Sequence, residues 1–260
     1  MNEFCDTAIQ AARVAAKCIL KFYDRIEVHY KASNNIVTQA DHESEKEIVA
    51  FIRERYPDHQ FLCEESHEKD PLDSPHLWII DPLDGTNNYS RKIPQFCISI
   101  AYAESGQILA GVVFDPMRSE LYHAIRHQGA FMNDQSIRVS ETRELNQGIV
   151  GTGFYYDRDV MMAKTLNGMH DLFRSGICGI RRMGSAALDL CWVACGRYDA
   201  FFEYELSPWD FAAGGLIVHE AGGRISDRFG CPFSLKSQGI VAGNPSLHDQ
   251  VLEIVRWRDT

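Results

Sequence analysis

One short run constrains this 260-residue chain more than any other: Trp78-Ile79-Ile80-Asp81-Pro82-Leu83-Asp84-Gly85-Thr86-Asn87-Asn88. From about Leu77 it is apolar and β-branched, the pattern of a buried strand. It then breaks at a proline flanked by two carboxylates. Carboxylate oxygens are the ligands that Mg²⁺ and Ca²⁺ prefer. Pro82 fixes one φ and stiffens the turn, so that both acids can point to one side. Gly85 lets the backbone approach a ligand closely. A helix starting near Thr86 would offer its free N–H groups to a phosphate. Asp, Pro and Gly are also ordinary turn residues. Taken alone, the run therefore fits both a metal-binding turn and a plain Asp-rich turn.

A chain of this length accommodates one large domain or two intimately packed ones. Its hydrophobic fraction of 45% is enough for a real core. The formal net charge of −10 argues against nonspecific binding to nucleic acid or to an anionic membrane. The same charge would repel an anionic substrate unless cations were bound. No apolar run is long enough to span a bilayer. The N-terminus lacks the basic region of a secretory signal, and the segment behind it carries Arg13, Lys17 and Lys21. The eight cysteines form no Cys-x-x-Cys pair. A reduced, cytoplasmic protein without zinc is expected.

Apolar spacing predicts a helix from about Phe4 to Tyr23, a hairpin or loop over 28–38, and a second helix over 43–55 ended by Pro57. Asp41 then stands just before a helix, where an N-cap is the simplest reading. Phe61-Leu62-Cys63 reads as a strand running into Glu64-Glu65. Further strands are expected over 96–104, 108–114 and 120–125, with a turn-rich piece over 129–139. This first half, residues 1–142, suggests an α+β unit with an antiparallel sheet. The remainder, 143–260, alternates. Strands are expected over 148–153, 176–182, 198–205 and 239–242, and helices over 160–173, 185–195, 208–221 and 246–256. That is α/β layering, and two sub-domains sharing a cleft fit the pattern best.

Glu64 and Glu65 lie at a strand end, as Asp81 and Asp84 do, and neighbouring strand ends in one sheet would bring these acids together. Asp210 lies in Ser207-Pro208-Trp209-Asp210, which is also a respectable helix start with Pro at the first position.

Together, Glu64-Glu65, Asp81-Pro82-Leu83-Asp84-Gly85-Thr86, Trp209-Asp210-Phe211-Ala212-Ala213-Gly214 and Glu220-Ala221-Gly222-Gly223 resemble the two signatures of the inositol monophosphatase family. Val37-Thr38-Gln39-Ala40-Asp41 and Gly184-Ser185-Ala186-Ala187-Leu188-Asp189-Leu190 are similar to two further family segments. The resemblance covers nearly the whole chain. It implies a layered αβαβα sandwich of the inositol monophosphatase/fructose-1,6-bisphosphatase type, and a magnesium-dependent, lithium-sensitive phosphomonoesterase. Two to three Mg²⁺ ions are implied, held by Glu64, Asp81, Asp84, Asp210 and the carbonyl of Leu83.

The implied chemistry is in-line attack by metal-activated water on a phosphate monoester. Asp41 and Thr86 would orient that water and pass on its proton, with Glu64 contributing. Gly85 and Thr86 would hold the phosphate. Gly184, Ser185, Ala186 and Glu203, together with Asp210, would face the substrate. Glu203 favours a neutral polyol leaving group, and myo-inositol monophosphate is the expected substrate. Fructose bisphosphate, a nucleotide 3′-phosphate, NADP and histidinol phosphate are the alternatives within the enzyme class. A regulatory interaction protein on the same fold is the alternative outside it. A homodimer is expected from the resemblance, with no nucleic-acid or membrane partner.

Overall fold

The structure, a computed structural model, describes residues 2–32, 35–66 and 71–257. It opens with α1 (Glu3–Phe22), capped by Asn2, whose side chain accepts from the Phe4 N–H at 2.9 Å. Its buried stripe runs through Cys5, Ala8, Ile9, Ala12, Ala16 and Ile19. β1 (Val28–Ala32) and β2 (Asn35–Thr38) pair as an antiparallel hairpin. α2 (Gln39–Arg55) follows at once and begins earlier than the expected position 43. Thr38 is its N-cap, and Asp41 is not the cap but a residue of the first turn. The sequence cue lay in the pair. Thr38 Oγ1 accepts from the Ala40 N–H at 3.1 Å, and Asp41 Oδ2 accepts from the Thr38 N–H at 2.8 Å. This reciprocal box extends the helix into a polar turn that the apolar periodicity does not reach.

β3 (Gln60–Cys63), β4 (Leu77–Asp84) and the single turn α3 (Thr86–Ser90) lead into β5 (Cys97–Glu104) and β6 (Gln107–Asp115). β7 (Glu120–Ile125), β8 (Ala130–Met132) and β9 (Gln135–Ser136) complete one seven-stranded sheet, ordered β3-β4-β5-β6-β7-β8-β9. The sheet is mixed rather than antiparallel throughout, because β3 and β4 run parallel. The segment between Cys63 and Leu77 exceeds the roughly dozen residues that a parallel return requires.

The second half contributes β10 (Ile149–Thr152), α4 (Val160–Arg174), β11 (Gly179–Arg181), α5 (Ala186–Ala194) and β12 (Ala200–Glu203). It ends with α6 (Pro208–Glu220), β13 (Arg224–Ser226), β14 (Ile240–Gly243) and α7 (His248–Val255). Its sheet is ordered β11-β10-β12-β14-β13. The first three strands are parallel, and β14 and β13 are antiparallel. β13 was not expected from sequence, since Arg224-Ile225-Ser226 carries one apolar residue and no run.

Three buried clusters define five layers. α1 and α2 cover one face of the large sheet through Trp78, Ile80, Ile98 and Ile100. Its other face, through Leu77, Ile79, Cys97 and Ala101, meets α5 and α6. Those helices are covered in turn by Phe201 and Ala242 of the small sheet. Its far face, through Ala200 and Phe202, packs near Leu172 and Val251 of α4 and α7. Alternate residues of one strand thus enter different layers, as the period of two demands. Both faces are buried, so the strands read as nearly continuous apolar runs. Close approach of α6 needs small residues: a Cβ on Gly111 would stand 2.8 Å from the Ala213 carbonyl oxygen. Among the described residues no helix is long and apolar enough to cross a membrane.

Candidate functional site

The break at Pro82 is a β-bulge. Asp81 pairs with Ser99, and Asp84 pairs with Cys97, so three steps along β4 face two along β5. Without the extra residue Asp81 and Asp84 would lie on opposite faces; with it they share one. Pro82 lacks an N–H, and a bulge tolerates that loss. Parallel pairing then adds Glu64. Cys63 pairs with Ile80, and the Glu64 N–H donates to the Ile80 carbonyl at 3.2 Å. Both strands end on the same side, so Glu64 follows β3 where Asp81 closes the regular part of β4. An antiparallel neighbour would have carried Glu64 to the far end. The turn after β3 is pinned from α2 by Glu45, whose carboxylate accepts from the Glu65 N–H at 2.9 Å and the Ser66 hydroxyl at 2.5 Å. Glu45 is buried, and nothing in its sequence context singled it out.

Two helix starts supply the rest. Asp210 sits in the first turn of α6, and its Oδ2 accepts from the Ser207 N–H at 2.7 Å. The capping geometry therefore holds one oxygen of Asp210. Asp84 reaches the start of α5, where its Oδ2 accepts from the Ser185 hydroxyl at 2.6 Å and the Ala187 N–H at 2.8 Å. Ser185, expected on the substrate side, is buried and committed to this carboxylate. Gly85 is held at φ +97°, and a Cβ there would lie 2.8 Å from the Gln95 carbonyl oxygen, so only glycine fits. The anticipated helix at Thr86 is only the short α3.

Asp41 and Thr86 meet across the layer boundary. The Thr86 hydroxyl lies 2.9 Å from Asp41 Oδ1 and 3.1 Å from the Leu83 carbonyl oxygen. Thr38 supplies the other carboxylate oxygen with its N–H and its hydroxyl, at 2.8 and 2.6 Å. Burial pushes the Asp41 carboxyl up to about 6; the Thr38 hydrogen bonds oppose the rise, and the charge of Glu65 adds to it.

Glu64, Asp81, Leu83, Asp84, Gly85, Thr86, Gly184, Ser185, Ala186, Glu203 and Asp210 all line one cavity of about 340 Å³. Asp41 stands behind Thr86. Burial raises Asp81 and Asp210 well above the carboxylate range; the charges of Glu64, Asp84 and Asp210 raise Asp81 further, and those of Asp84, Glu64 and Glu203 raise Asp210. Burial raises Asp84 too, against the pull of Ser185 and Ala187. Among the described residues no three acids, thiols or imidazoles are drawn together into a finished metal cage; the acids stand around an open cavity. Buried carboxylates that raise one another's pKa fit hard divalent cations, for which oxygen donors are the natural ligands. The carboxylates of Glu64, Asp81, Asp84 and Asp210 with the Leu83 carbonyl would be the donors to such a cation.

The opposite wall comes from the small sheet. Glu203 ends β12, and a Cβ on Gly153 would overlap its carboxylate, so the glycine makes its space. Burial pushes Glu203 up to about 8, against the attraction of Arg182. Asp189 of α5 is 1% exposed, and its Oδ1 has no hydrogen-bond partner. Sequence reasoning placed Asp189 in a family-like segment but gave it no role. Phe154, Tyr155, Tyr156 and Trp209 complete the rim with Arg182, the only Lys or Arg side chain among the described lining residues. A loop after a strand carries no periodicity, so the aromatic stretch had no sequence signal.

The family profile for inositol monophosphatases matches residues 1–258. The Nus factor SuhB of Escherichia coli K12 is 43% identical over 259 residues, 98% of this chain and 97% of that one. The solved structure of the extragenic suppressor protein SuhB from Bartonella henselae is similar, with a TM-score of 0.92, 37% identity, and coverage of 98% and 99%. An IMPase from Thermotoga maritima gives a TM-score of 0.89, 35% identity, and coverage of 98% and 97%. On sequence and fold alike, this chain belongs to the inositol monophosphatase family.

Proposed function

We propose that the chain is a Mg²⁺-dependent phosphomonoesterase acting on a small phosphorylated polyol, myo-inositol monophosphate first among the candidates. One observation carries this reading. Four carboxylates from three separate stretches converge on one cavity, beside Thr86 and the buried Asp41 to which it donates. Divalent cations bound there would neutralise the ester's charge and acidify water. The residues themselves do the rest. The Thr86 hydroxyl is placed to accept a hydrogen bond from the attacking water when its own proton is directed to Asp41. With its carboxyl near 6, Asp41 is mostly ionised at neutral pH and takes up that proton. Glu64 assists from the adjoining strand end. Gly85 lets the phosphoryl group approach the backbone at Thr86. As the new P–O bond forms, the ester P–O bond breaks, and the alkoxide leaves toward Glu203 and Gly184, taking a proton from solvent water while Asp41 returns its own to solvent. Asp84 is aimed by Ser185 and by the first amides of α5.

The test is a panel of inositol monophosphate, fructose bisphosphate, a nucleotide 3′-phosphate, NADP and histidinol phosphate, with phosphate release measured with Mg²⁺ and with EDTA. The highest kcat/KM is expected for inositol monophosphate. No Mg²⁺-dependent release from any member would reject the reading. The name of the Escherichia coli relative, Nus factor, supports a second role as a regulatory factor. An Asp84→Asn chain that loses phosphate release yet keeps such a role would separate the two. A homodimer is proposed on the family resemblance, and sedimentation at about twice the 29.5 kDa chain mass would establish it.

A further inference from the structure

The aromatic stretch opposite the acids has no part in the chemistry so far. It occupies the loop between β10 and α4. The loop is tied down at its far end, because the Asp157 carboxylate accepts from the N–H groups of Asp159 and Met161 at 2.6 and 3.0 Å. It is also braced from within, where Arg158 Nη1 donates to the Tyr155 carbonyl at 2.6 Å. Tyr156 immediately precedes the Asp157 anchor, and its ring lies 5.6 Å from that of Tyr155. Two large aromatic side chains are thus held at the cavity mouth, each about two-fifths exposed. Their exposure leaves them open to a ligand.

Both rings line the cavity that the acids surround. The Tyr155 phenol feels Glu205 and Asp210. The Tyr156 phenol feels Glu64 most, then Asp210, Asp84 and Asp81. Tyr156 lines the same cavity as those four carboxylates. Its hydroxyl makes no hydrogen bond with any described residue. A tyrosine phenol ordinarily titrates at about 10, so at neutral pH the oxygen keeps its proton and acts as a donor.

A phosphoryl group presents acceptors only. Apart from the backbone at Gly85 and Thr86, the wall that receives it is made of carboxylates, which donate nothing when ionised. The Thr86 hydroxyl is engaged with Asp41 and Leu83, and the Ser185 hydroxyl with Asp84. A neutral side-chain donor from the opposite wall adds to that backbone. We propose that Tyr156 is a substrate-binding residue whose phenol O–H donates a hydrogen bond to a non-bridging oxygen of the phosphoryl group. The assignment rests on the phosphomonoesterase reading, and its test is chosen to be independent of turnover.

The probe is inorganic phosphate, titrated calorimetrically into the Mg²⁺-loaded chain. Tyr156→Phe keeps the ring and removes the hydroxyl. Phosphate should then bind about five- to tenfold more weakly, the loss expected for one hydrogen bond. The thermal midpoint should not move, and the inhibition constant of free inositol, which reports the alcohol side, should stay at the wild-type value. Tyr156→Leu should be no weaker than Tyr156→Phe by more than about twofold. Wild-type-like phosphate affinity in Tyr156→Phe would overturn the proposal. So would a loss that appears only in Tyr156→Leu, since the ring and not the hydroxyl would then matter, and so would a wild-type chain that binds no phosphate. A wild-type chain that binds phosphate but cleaves no ester would count against the phosphomonoesterase reading, while the Tyr156→Phe comparison still decides this one.

Discussion

Glu203 is 8% exposed, and burial pushes its carboxyl from an ordinary 4.5 up to about 8. Between those values the native chain holds a proton that the unfolded chain has released. Stability therefore falls as pH rises through this window; the penalty is absent below 4.5 and complete above 8. At pH 7 the window has been crossed for about 2.5 units, at about 1.36 kcal/mol each. The cost to the fold is about 3 kcal/mol. Glu203→Gln keeps the shape, fits the space beside Gly153 and removes the titration. The variant should be more stable than wild type by up to about 3 kcal/mol at pH 7, which is roughly 5–10 °C in Tm for a chain of this size. At pH 5 the gain should shrink below about 1 kcal/mol. Calorimetric melting in EDTA at both pH values measures this, and KM for inositol monophosphate should rise in the same variant. Equal melting at pH 7, or a gain that persists undiminished at pH 5, would refute the placement of a buried, destabilising acid on the alcohol side.

Thr86→Val removes the hydroxyl that joins Asp41 to the cavity at nearly constant volume; kcat should fall about 100-fold with little change in KM, and an unchanged kcat would remove Thr86 from the proton path. Gly85→Ala forces a side chain into φ +97° and within 2.8 Å of the Gln95 carbonyl oxygen. Chemical denaturation should show a loss of more than about 2 kcal/mol, and a loss below about 0.5 kcal/mol would mean that the turn relaxes freely. Asp84→Asn keeps an acceptor for Ser185 and Ala187 but removes one charge from the cluster. The metal-free variant should melt above wild type in EDTA and gain nothing from Mg²⁺, whereas retained Mg²⁺ stabilisation would place the cation elsewhere.

Much of this architecture could be read from residue patterns. The apolar run of β4 specified a buried strand, and Pro82 between two aspartates marked its break. What the run did not disclose was the register, since a bulge is defined by the partner strand: Ser99 and Cys97 decide that Asp81 and Asp84 share a face. The parallel β3–β4 pairing was hidden for the same reason, although it is what brings Glu64 beside Asp81. Asp41 looked like a cap because the apolar stripe of α2 begins late; the Thr38–Asp41 box starts the helix sooner and turns the carboxylate inward. Ser185, expected on the substrate side from its family-like segment, lines the cavity and also gives its hydroxyl to Asp84, a contact no local pattern discloses. Glu45 and Tyr156 reach the site's surroundings through tertiary neighbours from distant stretches, and no local pattern distinguishes them from an ordinary helical or loop residue.

The central claim is that the buried carboxylates of this cavity are a divalent-cation site. Calorimetric titration of the metal-free chain with Mg²⁺, repeated at neutral pH in buffers of different ionisation enthalpy, tests it most directly. Burial holds Asp81, Asp84 and Asp210 above their ordinary range, and neighbouring acids add to the rise at Asp81 and Asp210; cation binding favours their deprotonated forms and so releases protons. Saturable Mg²⁺ binding with net proton release, tightening as pH rises and lost in Asp84→Asn, is the expected result. Binding without proton release, or equal binding by Asp84→Asn, would contradict it.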